Sequence, residues 1–179
     1  MEALESNPNH SLEDSEHLQR DYKSFLAREV INKLPRISAY DQSLLSDWDF
    51  HLSPGSSSAA LWGVWYYKHL VPNIKVLIDP YLQRPLGFSE IDSLTVLDLL
   101  ETERGKTIAY ETIVPAMNEL KKLLGDNPAK WRWGDLHKIK FVHPLYDMVD
   151  ASTQEDLWIK PYPRGGSANT TNNTGFSAV

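Results

Sequence analysis

The segment Ser56–Val71, SSSAALWGVWYYKHLV, limits the possible folds more than any other stretch. It reads as a helix with serines available for its N-cap and Pro72 to close it. Ala59, Ala60, Leu61, Trp62, Val64, Trp65 and Tyr66 leave almost no polar face. A helix that is apolar all round is buried all round. The chain must therefore wrap other elements around this one. Six tryptophans in 179 residues supply the bulk for such a core.

Two further segments carry helical periodicity. In SLEDSEHLQRDYKSFLAREVINKL, residues Leu18, Tyr22, Phe25, Leu26 and Val30 share one face. Ser11 or Asp14 caps it, and Pro35 ends it. In KTIAYETIVPAMNELKKLLGDN, the repeat runs through Val114, Met117, Leu120 and Leu124, with Gly125 as the C-cap. Pro115 sits in its first turn or kinks it. Shorter helices are expected in SAYDQSLLSDWDFHLSPGSSS and IDSLTVLDLLE. The organisation expected is a disordered segment 1–13, a helix-rich region 14–164, and a Gly/Asn/Thr-rich tail 165–179 that stops abruptly.

One stretch has the opposite period. His137, Ile139, Phe141 and His143 alternate with Lys138, Lys140 and Val142, which predicts a strand near 137–143. A lone strand leaves its backbone groups unpaired. Its partner must come from the tail or from the sheet of a larger protein, and the second is the expectation. The fold class is thus α+β and helix-rich.

Composition removes several functions. The formal net charge of −6 and the scattered lysines and arginines argue against nucleic acid as a partner. There is no cysteine, so disulfides, thiolate catalysis and cysteine-ligated zinc are excluded. The polar start MEALESNPNHSLEDSEHLQRD has no signal-peptide apolar core, and no apolar run approaches the ~18 residues that span a bilayer. No membrane partner is expected.

The fifteen residues WRWGDLHKIKFVHPL, Trp131–Leu145, are the densest in the chain. They resemble the W-x-W-G-x-L-H-x-x-x-F-x-H-P-L signature of the penicillin acylase family. These are N-terminal-nucleophile amide hydrolases related to cephalosporin, aculeacin and acyl-homoserine-lactone acylases. Trp131, Trp133, Gly134, Leu136, His137, Phe141, His143, Pro144 and Leu145 fall in register. Gln19, Asp21 and Ser24 are similar to the family's Q-x-D-x-x-S helix start. LLSDWDFHLSPGSSSAALWGVW resembles its L-x-x-W-D element followed by a serine and an alanine-rich helix. LLGDNPAKW resembles the approach to the Trp–Gly motif, and RGGSANTTNN the loop that follows it.

The resemblance implies an αββα sandwich, of which this chain holds an incomplete part of the large subunit. It implies removal of acyl groups from amides by a serine that begins a processed chain, with its own amine as base. It implies no cofactor. The partners it implies are the remainder of the large subunit, a small subunit and a small acyl amide, in a periplasmic or secreted protein. The nucleophile and the oxyanion-hole asparagine match no position here, so no catalytic residue is assigned. The alternative is a non-catalytic helical interaction module. Such a module needs polar faces on Ala59–Leu70 and Ile139–Phe141, and both look apolar.

Within the chain the chemically suggestive residues have plainer readings. Ser6 lies between Glu5 and Asn7, and Ser167 follows Gly165 and Gly166. Cutting at Ser167 leaves too short a chain to build a sheet, so a glycine loop is expected there. On a strand, His137 and His143 share a face roughly 20 Å apart, too far to ligate one metal. Both are expected to be buried and bonded to carbonyls, and no metal is assigned. Trp131, Trp133, Trp62 and Trp65 are expected in the core rather than as a ligand platform. Asp47, Asp49 and His51 fit capping and solvent better than acid–base chemistry. Asn169 and Asn172 match glycosylation sequons by chance. Trp131, Trp133, Gly134, His137, Phe141, His143 and Pro144 are therefore read as a structural joint.

Overall fold

A computed structural model describes residues 9–37, 44–78 and 91–170. It is predominantly helical, with a small two-stranded antiparallel sheet among the described residues. Helix α1 spans Leu12–Gln19 and is closed by a capping box in which Ser11 and Asp14 satisfy each other's backbone N–H groups. The helix thus begins inside the segment 1–13 expected to be disordered. Residues 1–8 lie outside the described residues.

The long helix expected over 11–34 is two helices. Chain pairing interrupts it: Ser24 N–H donates to the Phe50 carbonyl, Leu52 N–H donates to the Tyr22 carbonyl, and Lys23 bridges His51. These bonds hold 22–24 extended, so helical propagation stops and restarts. Ser24 Oγ then accepts the Ala27 N–H and caps α2, Phe25–Asn32. Leu26, Ala27, Val30 and Ile31 face the core, whereas Phe25 is exposed. The short helix expected in 38–58 falls partly on 38–43, outside the described residues; 44–47 form turns.

The apolar helix holds the centre of the molecule. Ser56 caps α3, Ser57–Val64. The chain then continues as a π-helical turn, Trp65–Leu70, as α4, Val71–Ile74, and as a 3₁₀ turn, Lys75–Leu77. Pro72 therefore does not close the helix. Its missing N–H and its ring conflict with the carbonyl four residues back. The wider π turn lies directly before it and relieves that conflict locally. The same turn resets the helical phase, so Trp65, Tyr66, Tyr67 and Leu70 are all buried. Trp62 stacks on Tyr66 with ring centroids 4.6 Å apart, and Trp65 meets Trp62 edge-on at 6.0 Å.

Asp92 caps α5, Ser93–Leu99, and Thr102 caps α6, Glu103–Leu124. Helix α6 packs along the π turn, where Trp65 Nε1 donates to Thr112 Oγ1 at 3.1 Å. Its buried face runs through Ala109, Thr112, Ile113, Ala116, Met117 and Leu120, so Val114 points to solvent against expectation. Pro115 lies in the helix interior on the exposed face, where water can serve the carbonyl its ring leaves without a donor. Gly125, at φ 93°, ends the helix.

An ion triad ties α6 to the π turn. Glu119 accepts from Lys68 Nζ at 2.9 Å and lies 2.8 Å from His69 Nε2. Burial pushes the Glu119 carboxyl up, but hydrogen bonds from Lys68 and His69 and their charges outweigh it, leaving a net lowering. A folded pKa below the unfolded value stabilises the fold above the unfolded pKa, and that contribution fades as pH falls through the folded one. Glu119→Gln should therefore lower the urea midpoint at pH 6 and cost progressively less as pH falls below about 4. Equal losses at pH 6 and pH 3 would show that the triad contributes no proton-linked stability.

After α7, Trp133–Leu136, strand β1 spans Lys138–Val142. Its partner is β2, Trp158–Pro163, reached through α8, Ala151–Asp156. A partner for the predicted strand thus lies within this chain, where the sheet of a larger protein was expected to supply it. Pro161 and Pro163 disguise it. Register passes from Ile139↔Tyr162 to Phe141↔Ile159, so β2 carries an extra residue at a bulge. A bulge on an edge strand tolerates a proline that cannot donate. His137 and His143 flank β1 rather than belong to it.

The Trp–Gly–His joint as candidate functional site

Four chain segments meet at Trp133–His137. Gly134 N–H donates to the Pro54 carbonyl at 2.7 Å, and Trp133 N–H to the Ser56 carbonyl at 3.2 Å. His137 and Arg164 exchange backbone contact through Arg164 N–H to the His137 carbonyl, 2.9 Å. Gly166 N–H reaches the Leu52 carbonyl at 2.9 Å, and Leu52 is itself pinned to Tyr22. The joint therefore binds the α1–α2 break, the α3 entry, α7 and the glycine loop into one backbone network.

Side chains lock the same point. The Trp133 and His137 rings stack at 4.8 Å and 10°. Four-residue spacing on one helical turn puts them there. Trp133 Nε1 donates to the Gly166 carbonyl at 3.0 Å. His137 Nδ1 lies 2.9 Å from the Arg164 carbonyl. A carbonyl only accepts, so Nδ1 carries the proton. Trp131 Nε1 donates to the Gly125 carbonyl at 2.8 Å and so covers the end of α6. Trp131, Trp133 and His137 are all buried, as are Trp62 and Trp65.

Glycines make the approach possible. A Cβ on Gly134 would lie 2.6 Å from Pro163 Cβ, and one on Gly63 would lie 2.3 Å from the Trp133 ring. Real Cβ atoms do not approach carbon that closely, so α3 and α7 can touch only through bare backbone.

The glycine loop is built against the π turn. Ser167 is fully buried, and its N–H donates to Thr170 Oγ1 at 2.9 Å. Asn169 Nδ2 donates to the Tyr67 hydroxyl at 3.0 Å. Burial pushes the Tyr67 hydroxyl pKa up, with hydrogen bonds to Ser167 and Asn169 opposing in part. At neutral pH Tyr67 is therefore a neutral phenol, a hydrogen-bonding post rather than a base. Sequence reasoning missed Tyr67 and took Asn169 only as a chance sequon. The only signal was an aromatic run long enough to cross from one helix face to the next.

The remaining candidates are dispersed. His143 is exposed, contrary to expectation, and its Nδ1 accepts the Leu145 N–H at 3.1 Å. His143, Pro144 and Leu145, which follow β1, are all exposed, which leaves this ring in solvent. Pro144 is exposed beside it, and Phe141 is paired through its backbone with Ile159. The two histidines thus stand at opposite ends of β1. Among the described residues no group of three or more His, Asp or Glu side chains is placed to hold a metal ion. His51 lies between Asp49 at 3.3 Å and Asp21 at 3.8 Å, on the surface with Asp47 nearby in sequence and exposed. Ser6 and Asn172 lie outside the described residues. No helix among the described residues is long and apolar enough to cross a membrane.

This joint coincides with the motif on which the family resemblance rests. The penicillin amidase family model matches residues 1–179. No curated protein matches the chain. A match over this whole sequence decides the relationship: the chain belongs to the penicillin amidase family.

Proposed function

We propose that this chain forms the structural joint of an acylase large subunit whose N-terminal serine nucleophile is supplied outside it. The intact protein removes an acyl group from an amide within an αββα sandwich. Its substrates are penicillin-like amides, acyl-homoserine lactones or lipopeptides, and its partners are the rest of the large subunit and a small subunit. The observation that carries this reading is Ser167. It is the serine that follows a glycine pair, yet it is fully buried and its N–H is bonded to Thr170. A nucleophilic serine of this class needs a free amine beside its own hydroxyl. Ser167 serves instead as a fastener of the glycine loop.

The purified chain is expected to hydrolyse no chromogenic acyl anilide above buffer and to keep its mass. Loss of even one oxyanion donor costs about 10²–10³ in rate, so losing nucleophile and hole together leaves only background. Self-cleavage between Gly166 and Ser167, or turnover abolished by Ser167→Ala, would overturn the reading.

A second reading, a non-catalytic helical interaction module, draws on one observation. The apolar faces of Ala59–Leu70 are covered by the chain's own elements, chiefly α6 and α7. Co-expression with a penicillin amidase nucleophile segment separates the two. Recovered anilide hydrolysis supports the acylase subunit; a stable complex that stays inactive supports the module.

A further inference from the structure

We propose that the cleft between the end of α2 and the first turns of α6 binds a small organic monocarboxylate. The cleft encloses about 400 Å³, within the range that holds small ligands. Lys33 and Arg36 line one wall, and Lys106 lines the other together with its ion-pair partner Glu103. Three cations around one opening are conspicuous in a chain of net charge −6. Two of them already have carboxylate partners: Lys33 pairs with Glu101, and Lys106 with Glu103 at 3.3 Å. Arg36 makes no ion pair or hydrogen bond among the described residues. Its planar fork suits a carboxylate held by two parallel bonds.

The rest of the cleft defines what the anion carries. Pro35 and the Tyr110 ring provide apolar wall beside Arg36. Tyr110 and Thr107 also line a second hollow of about 350 Å³, which continues along α6 past Glu111 to the exposed Val114. An alkyl or aryl tail can follow that line. Glu111 at its far end repels a second carboxylate, which favours a monocarboxylate over a dicarboxylate. This inference is independent of the acylase reading, since none of these residues belongs to the joint.

The test is an amide NMR titration of the full chain with octanoate, octanamide and inorganic phosphate. Octanoate should shift the amides of Lys33, Arg36 and Glu103–Val114 and saturate in the millimolar range. Arg36→Gln, a surface change whose folding is checked by circular dichroism, should weaken octanoate by about tenfold or more, as for loss of a charged hydrogen bond. Octanamide and phosphate should each shift these amides far less. Equal binding to wild type and Arg36→Gln would overturn the proposal. So would octanamide binding as tightly as octanoate, phosphate binding as tightly as octanoate, or no shift in this cleft from any probe.

Discussion

Trp133→Ala is expected to remove most of the stability of this chain. Truncating a buried tryptophan costs about 3–5 kcal/mol through lost transfer energy and the cavity left behind. The Gly166 carbonyl also loses its indole donor, which adds about 1–3 kcal/mol if no water replaces it. Domains are stable by only about 5–15 kcal/mol in total. Each kcal/mol shifts a chain of this size by roughly 2–4 °C, so a fall of well over 10 °C in thermal midpoint should follow. Trp133→Phe keeps a ring against His137 and loses the indole bond with only part of the buried volume, so it should cost less than the alanine variant. Urea unfolding of the three proteins checks this. An alanine variant within about 1 kcal/mol of wild type would mean that the joint does not hold the fold.

Gly63→Ala carries the second large effect, and its sign is informative. In an open helix the change should stabilise by about 1 kcal/mol. Here the new methyl would lie 2.3 Å from a ring that cannot retreat, since Trp133 is stacked on His137 and bonded to Gly166. Overpacking of this kind costs about 1–3 kcal/mol, so a net loss is expected. In the Trp133→Ala background the clash is gone and the helical gain should reappear. The double-mutant cycle should give a coupling of at least about 1 kcal/mol. A stabilised single variant, or no coupling, would show that α3 and α7 are not in the contact described.

Much of the architecture was legible from local pattern. The all-round apolar run at Ala59–Tyr66 required a central helix, and it is one. Gly125 and the caps at Ser11 and Ser56 lie where their residue types place them. Period-two alternation found β1, because successive side chains of a strand point to opposite faces. The Trp–Gly–His motif gave the family. The glycine loop was seen as a loop, but its burial against Tyr67 was not.

What failed did so where distant contacts outweigh local preference. The 11–34 helix reads as continuous until Phe50 and Tyr22 claim its backbone groups. Pro72 reads as a terminator until a π turn absorbs it. β2 shows no strand alternation because one proline sits in a bulge and another at the strand end. His143 reads as buried by symmetry with His137, yet only His137 has a carbonyl waiting inside. The sequence by itself thus determined the elements whose free energy is local: caps, apolar stripes, one alternating strand and a family motif. Tertiary structure alone decided where backbone hydrogen bonds are exchanged between remote segments and where a missing Cβ lets Trp133 meet Gly63. Those choices depend on which groups arrive at the same point in space, and no window of neighbouring residues contains that information.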